Sequence, residues 1–385
     1  MSGLLKSLLL TTNREAIAEE SGPVITGPYS VTTSNYDAAI RYSVQNLSFF
    51  AAGRHWIFYA DAGHLYFRSS TDGETWTDRT DLGLVTASGM IDAYFDGTHV
   101  HYARVYDQIL YYRRGTPNAN GTITWSAAEQ IVYDNTGVGA MLAQVIAVLS
   151  GGYPAIAYVR EVAGVYNPRV KISDNNDGTW SGAEVELKLH NTSSPAWCLS
   201  LHTLGSGLYV TYQRDNNIML GRVYSGGAWQ GEESTGYDVR IGVTCSVTIK
   251  DSEVHVTFVE DTDRDIYHGY RSAGGVWQAK VAVQVGTYTN YAVGIVSSDT
   301  MLYIFWASTT DDKIYYKKSS DNGATWTDEA GTGNPQELFV SPAEILYTYD
   351  IQAYETIMSN HIGVMWLTGA AAPYTIYFGD MEFPS

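Results

Sequence analysis

Short runs in which large apolar residues alternate with small or polar ones recur along the chain from about residue 46 onward, the period-two pattern of strands that bury one face. The clearest set is His55 to Ala60, His99 to Arg104, Tyr153 to Arg160, Leu208 to Arg214, Val254 to Glu260 and Leu302 to Ala307. Each is followed by an aromatic or β-branched segment such as Leu65-Tyr66-Phe67-Arg68 or Ile314-Tyr315-Tyr316-Lys317. Each is also preceded by another strand-like run, as at Asn46 to Ala51 and Val293 to Ser297. A turn rich in Gly or Asn and then a tryptophan close every unit. Trp76, Trp125, Trp180, Trp229, Trp277 and Trp326 are 49, 55, 49, 48 and 49 residues apart. Counting the segment after each tryptophan, the pattern predicts four strands per unit of roughly 49 residues.

A seventh unit starts at Tyr349, passes through Ile362 to Leu367 and Thr375 to Phe378, and reaches Ser385 without a fourth strand. Gly22 to Tyr29 precede the first unit and have no blade of their own, so they can supply it. Pairing the first and last segments closes a ring and leaves only short edges. The prediction is an all-β, seven-bladed β-propeller of four-stranded antiparallel blades over residues 22–385, closed by an N-terminal strand. Six complete blades with a C-terminal hairpin are the alternative. Residues 1–21 form a separate segment: Leu4, Leu5, Leu8 and Leu9 share a face, which predicts a short amphipathic helix that docks or tethers the propeller to a larger assembly. Lys6 interrupts the apolar run and no small-x-small cleavage site follows, which argues against a secretory signal. No apolar run approaches the roughly 18 residues needed to cross a bilayer.

Composition narrows the function classes. Thirty tyrosines, 10 tryptophans and 37 glycines against 17% charged residues suit many short strands and tight turns. A net charge of -18 argues against nucleic acid and anionic lipid as partners, because both recruit Lys and Arg. Cys198 and Cys245 fall near the starts of successive units, where two buried free thiols are expected rather than a bridge. Among nine histidines only His99-x-His101 has ligand-like spacing, and it lies on a strand. No cofactor or metal is therefore expected, and a bound cation such as calcium would have no motif behind it. No phosphate loop, nucleophile elbow or zinc knuckle is present.

The turn Ser319-Ser320-Asp321-Asn322-Gly323-Ala324-Thr325-Trp326 resembles the Asp-box (BNR repeat) of sialidase-like propellers, Ser-x-Asp-x-Gly-x-Thr-Trp, at every defined position: Ser319, Asp321, Gly323, Thr325 and Trp326. In the first unit Asp72, Gly73 and Trp76 match with the aspartate shifted by one place, and the turn ending at Trp180 is a looser copy. The resemblance implies a hairpin between third and fourth strands, on the face opposite the usual ligand site, with a structural role. It also implies a possible activity, since sialidases clamp a carboxylate with three arginines beside a Tyr and Glu pair. Their Arg-Ile-Pro signature is absent; Ile40-Arg41-Tyr42-Ser43 lacks the proline.

The candidate ligand-binding residues fall in the loops between second and third strands, on the ligand face. Three successive units end the second strand with aromatic-x-Arg: Tyr102-Ala103-Arg104, Tyr158-Val159-Arg160 and Tyr212-Gln213-Arg214. The fifth unit has Phe258-Val259-Glu260 there, and Glu161, Asp215, Asp261 and Asp263 follow in the loops. Such groups can bind sugar hydroxyls or a carboxylate through charge-assisted hydrogen bonds; pairing with one another at the rim is the bland reading. The function expected is a non-catalytic module that binds a glycan or cell-surface receptor, outside the cell or on a virion or phage-tail surface. A diverged sialidase-like exo-glycosidase is one alternative, with no catalytic residue assignable, and a purely structural assembly protein is another.

Overall fold

The computed structural model of the chain describes residues 22–40, 45–86, 91–188, 198–213, 217–240, 245–286, 293–345 and 351–384. The expected N-terminal helix, Arg214 and Asp215 lie outside the described residues. The strands form seven sheets arranged as a propeller ring, so the six-blade alternative is set aside. Blade 1 runs from its inner strand Ser48–Ala51 through Arg54–Asp61 and His64–Ser70 to the outer strand Thr80–Leu84. Blades 2 to 6 repeat this antiparallel order, and blades 2 and 4 carry one extra short strand each. Blade 7 takes Ile351–Ala353, His361–Thr368 and Tyr374–Glu382 from the C-terminus and its outer strand, Val24–Ser34, from the N-terminus. The closing strand pairs Val24 with Glu382 and Ser34 with Tyr374, so it runs further than the residues 22–29 expected from sequence.

The strand pattern follows from burial. The second strands are sandwiched on both faces, and their aromatic residues Trp56, Tyr102, Tyr158, Tyr212, Trp306 and Trp366 are completely or almost completely buried. The third and outer strands meet solvent progressively, which is why alternation is sharpest there. Tight hairpins join the strands. At Asp107-Gln108 and Asp251-Ser252 both residues have positive φ, the twist-matched two-residue turn.

Polar groups tie the inner strands together around the axis. Asp92, fully buried on blade 2, accepts the backbone N–H of Asn46 at 2.5 Å and of Ile146 at 2.7 Å, linking the stretch leading into blade 1 to blade 3. His202 of blade 4 meets Glu355 of blade 7 at 2.6 Å. Cys198 and Cys245 are buried thiols at the entries to blades 4 and 5, not joined by a disulfide, as the sequence suggested. The bond with Cys198 and burial both push the Cys245 thiol well up.

Four of the six turn tryptophans pack onto the preceding blade, Trp277 through Tyr209 and Tyr237 of blade 4 without a turn aspartate, and two pack onto their own. Trp76 packs edge-on against Phe378, Trp180 against Tyr112 and Trp326 against His268, with ring centroids 5.1–5.3 Å apart. In each case the partner lies on the third strand of the preceding blade, so the indole wedges two blades together. These are the three turns with motif residues. The bonds explain the motif: Ser319 Oγ accepts the Gly323 N–H at 2.8 Å, Asp321 accepts the N–H of Thr325 at 2.9 Å, and Trp326 Nε1 donates to the Gly323 carbonyl at 3.1 Å. Asp72 bonds the backbone N–H of Glu74 and Thr75 in the same manner. In blades 2 and 4, Trp125 and Trp229 turn instead onto Tyr102 and Tyr224 of their own blades.

Candidate functional site

Two of the arginines expected on the ligand face are each paired with a carboxylate of their own blade. Arg104 Nε donates to Glu129 at 2.7 Å and its Nη2 reaches the other carboxylate oxygen, while Nη1 bonds the Leu84 carbonyl. Arg160 meets Glu184 through Nε at 2.9 Å and through Nη2. The tyrosine two residues earlier joins each pair: Tyr102 donates to Glu129 at 2.8 Å and Tyr158 to Glu184 at 2.6 Å. Tyr212 likewise donates to Glu232, at 3.2 Å.

The pairing has a fixed register. Glu129, Glu184 and Glu232 each immediately precede the outer region of their blade, at Gln130, Val185 and Glu233. Blade 5 keeps the register and reverses the sign, with Glu260 on the second-strand side and Lys280 just before Val281. Blade 1 does the same with Asp61 and Arg79, 2.8 Å apart, just before Thr80. In each pair the cation lies over a tyrosine ring: Arg79 on Tyr66, Arg104 on Tyr111, Arg160 on Tyr133 and Lys280 on Tyr267, at 4.1–4.8 Å. Sequence reasoning missed these partners, although the residue before each outer strand was the available signal.

Electrostatics fit a closed clamp. Burial works against the charge on Arg160, but its bonds with Glu184 outweigh this and raise the guanidinium above its ordinary value. Burial would also raise Glu184, yet Arg160, Tyr158 and the nearby Arg169 hold it below the usual carboxylate range. The loop acids are occupied too. Glu161 accepts the Ala140 N–H at 3.1 Å, Asp261 accepts Asn217 Nδ2 at 3.0 Å, and Asp263 accepts the Tyr267 hydroxyl at 2.7 Å.

Accessible binding chemistry lies elsewhere, at the outer edge between blades 3 and 4. There Trp229 does not reach across, and a cleft of about 390 Å³ opens between the sheets. Val170, Ile172 and Val185 of blade 3 form one wall, and Arg222, Tyr224 and Trp229 of blade 4 the other. Arg222 is fixed by Nε on the Gln230 carbonyl and Nη1 on the Leu187 carbonyl, both at 2.9 Å. Its Nη2 has no hydrogen-bond partner among the described residues. A second groove of about 570 Å³ lies on the face of the second-to-third-strand turns, lined by Tyr36, Tyr106, Asp107 and Gln108 among others.

No protein-family model matches the chain, and no curated protein matches it by sequence. Solved structures do match by shape. The polysaccharide lyase Uly1 aligns over 93% of this chain and 92% of its own, with a TM-score of 0.57 at 8% identity. BBS1N, solved in complex with ARL6DN, aligns over 93% and 97%, with a TM-score of 0.54 at 12% identity. A variant of the Aleuria aurantia lectin, in complex with Fucα1-6GlcNAc, aligns over 76% of this chain and 98% of its own, with a TM-score of 0.50 at 13% identity. At these identities the likeness is one of fold: the chain is a seven-bladed β-propeller.

Proposed function

We propose that the protein is a non-catalytic recognition module that binds a saccharide in the cleft between blades 3 and 4. The observation that carries this reading is the grouping of Tyr224, Trp229 and the half-satisfied Arg222 on one wall of a cleft of about 390 Å³. Aromatic rings accept the apolar C–H face of a sugar, and a fixed guanidinium with a free nitrogen donates to hydroxyl or carboxylate oxygen. The volume falls within the usual range for small-ligand sites. A polysaccharide lyase and a lectin holding a fucosyl disaccharide align with the chain in shape, which is compatible with the reading. The Asp-box geometry of three turns supports kinship with the sialidase-like superfamily. A sialidase-type carboxylate clamp gains no support, because Arg104 and Arg160 are committed to Glu129 and Glu184. Display outside the cell or on a virion or phage-tail surface, through residues 1–21, completes the proposal.

A glycan array with the whole chain, followed by calorimetry on the best ligand, tests it. Trp229→Ala and Arg222→Ala are each expected to weaken binding by about tenfold or more, the loss of 1.4 kcal/mol or greater. A blank array at high protein concentration overturns the saccharide reading. Binding unchanged in both variants removes the cleft as its site.

A further inference from the structure

The ring closes where blade 7 meets blade 1, and three side chains from opposite ends of the sequence converge at that seam. His55 is the second residue of Arg54–Asp61, His361 opens His361–Thr368, and Asp380 lies near the end of Tyr374–Glu382. His361 is paired with Glu382 and Gly363 with Asp380, so His361 and Asp380 are diagonal neighbours on one face of blade 7. That face is the one turned to blade 1: Phe378, two residues before Asp380, packs against His55 and Trp76. One donor atom from each of His55, His361 and Asp380 lies within 4.8 Å of the other two.

The partners of these groups are arranged as a metal site would need. Tyr354 Oη holds His55 Nδ1 at 2.7 Å, which fixes the ring and leaves Nε2 without a hydrogen-bond partner among the described residues. His361 Nδ1 meets Asp380 Oδ2 at 2.7 Å. Asp380 Oδ1 is buried, in a residue only 5% exposed, and has no hydrogen-bond partner among the described residues. An unpaired buried carboxylate oxygen is costly, and a cation is one of few things that remove the cost. Blade 2 provides the contrast. His101 also bonds a tyrosine, Tyr112 Oη at 2.7 Å, but its second nitrogen is taken by Asp96 at 3.0 Å. The blade 2 histidine is thus satisfied by protein, and the one at the seam is not.

We propose that His55, His361 and Asp380 bind one divalent transition-metal ion, zinc by preference, which staples the last blade to the first. Two imidazoles and one carboxylate suit zinc, whereas calcium and magnesium take oxygen donors alone. Zinc holds its donors at about 2.0–2.2 Å, so the three groups contract by small side-chain rotations on binding. Water takes the fourth position. Tyr354 supplies the outer-shell bond that orients a metal-bound imidazole. The site is separate from the cleft between blades 3 and 4 and does not depend on the saccharide reading.

The experiment uses the whole chain, stripped with chelator and then titrated with Zn2+ or Co2+. One ion bound per chain is expected, with a tetrahedral-type visible spectrum for Co2+ and a rise in melting temperature of about 3 °C at a hundredfold excess of free zinc over its Kd. Asp380→Asn and His361→Gln are each expected to weaken binding by more than about a hundredfold. His64→Gln, which alters an exposed His–Asp pair in blade 1, leaves it unchanged. The wild-type spectrum needs no variant, so its absence overturns the proposal even if a substitution fails to fold. Retained binding in folded Asp380→Asn and His361→Gln proteins overturns it as well.

Discussion

The clamp in blade 2 yields a prediction that separates a structural arginine from a ligand-binding one. Arg104 and Glu129 have side chains only 9% and 19% exposed, and Tyr102 shares the carboxylate. Arg104→Met leaves a part-buried carboxylate without its cation, and Glu129→Gln leaves the guanidinium with a neutral acceptor. Breaking one half of a buried pair costs about 3–5 kcal/mol, whereas replacing both halves is often much cheaper. Allowing for the residual exposure, each single substitution is expected to cost about 2–4 kcal/mol and the double variant less than the sum, with a coupling of about 2 kcal/mol. Unfolding entropy of about 2.1 cal/mol/K per residue gives about 0.8 kcal/mol/K for 385 residues. Each single variant should therefore melt about 3–5 °C lower. Lys313 and Glu337, 30% and 44% exposed, are the reference pair, with an expected coupling below about 1 kcal/mol. Calorimetric melting and urea titration of both cycles measure the two couplings. Equal couplings in the two cycles, or an Arg104→Met protein that keeps its stability and loses a ligand, would refute the structural assignment.

The wedging turns make a graded prediction. A Cβ on Gly73 would meet Phe378 at 3.2 Å, whereas on Gly178 it would meet Tyr112 at 2.3 Å and on Gly323 it would meet His268 at 2.1 Å, all three at positive φ. Gly73→Ala should cost about 1–2 kcal/mol from backbone strain, and Gly178→Ala and Gly323→Ala about 3–5 kcal/mol once overpacking is added; urea midpoints in the reverse order would sink the wedge model. Acid lability follows from the stacked pair His255 and His268. Burial pushes them down to about 4 and about 3, with Lys250 also opposing charge on His255 and His255 opposing it on His268. Both are neutral when folded while the unfolded chain takes up protons near 6.5, so stability is full above that pH and falls as pH drops toward the folded values. The loss is about 3 kcal/mol for an imidazole held at about 4, as His255 is. Urea titrations from about pH 7.5 to about 4.5 check this, and a His268→Phe variant should show a shallower fall.

Most of the fold was legible because each blade repeats the same burial problem. The tryptophan spacing located six blades, and Gly22 to Tyr29 were left over because an outer strand at the other end lacked a partner. The site was harder to read for a physical reason. Arg104 and Arg160 recur in register, which suggests either a shared pocket or a repeated structural device, and only the position of their partners decides between these. Glu129 and Glu184 lie beyond an intervening turn of variable length, so no fixed spacing announces them. The convergence of His55, His361 and Asp380 was invisible for a stronger reason. It depends on ring closure, which joins the two ends of the chain, while spacing rules for ligands read only neighbouring residues.

The division of the tryptophans explains why an opening exists between blades 3 and 4. Where Ser and Asp bind the turn backbone, the glycine carbonyl is presented to the indole N–H, as at Gly323 and Trp326, and the ring projects onto the preceding blade. The turn before Trp229 is Ser225-Gly226-Gly227-Ala228, in which no aspartate organises the backbone. Ser225 pairs with Ala228 and Tyr224 with Trp229 as a short hairpin, which swings the indole onto Tyr224. The same local change removes a wedge from one seam and places two aromatic rings beside Arg222. The tight hairpin of blade 4 thus exchanges packing energy at one seam for an accessible aromatic cleft, whereas Trp277, also without a turn aspartate but paired with Arg271 over a longer turn, still reaches Tyr209 and Tyr237 of blade 4. Restoring a Ser-x-Asp-x-Gly-x-Thr turn ahead of Trp229 should close that cleft and stabilise the ring, at the expense of any ligand bound there.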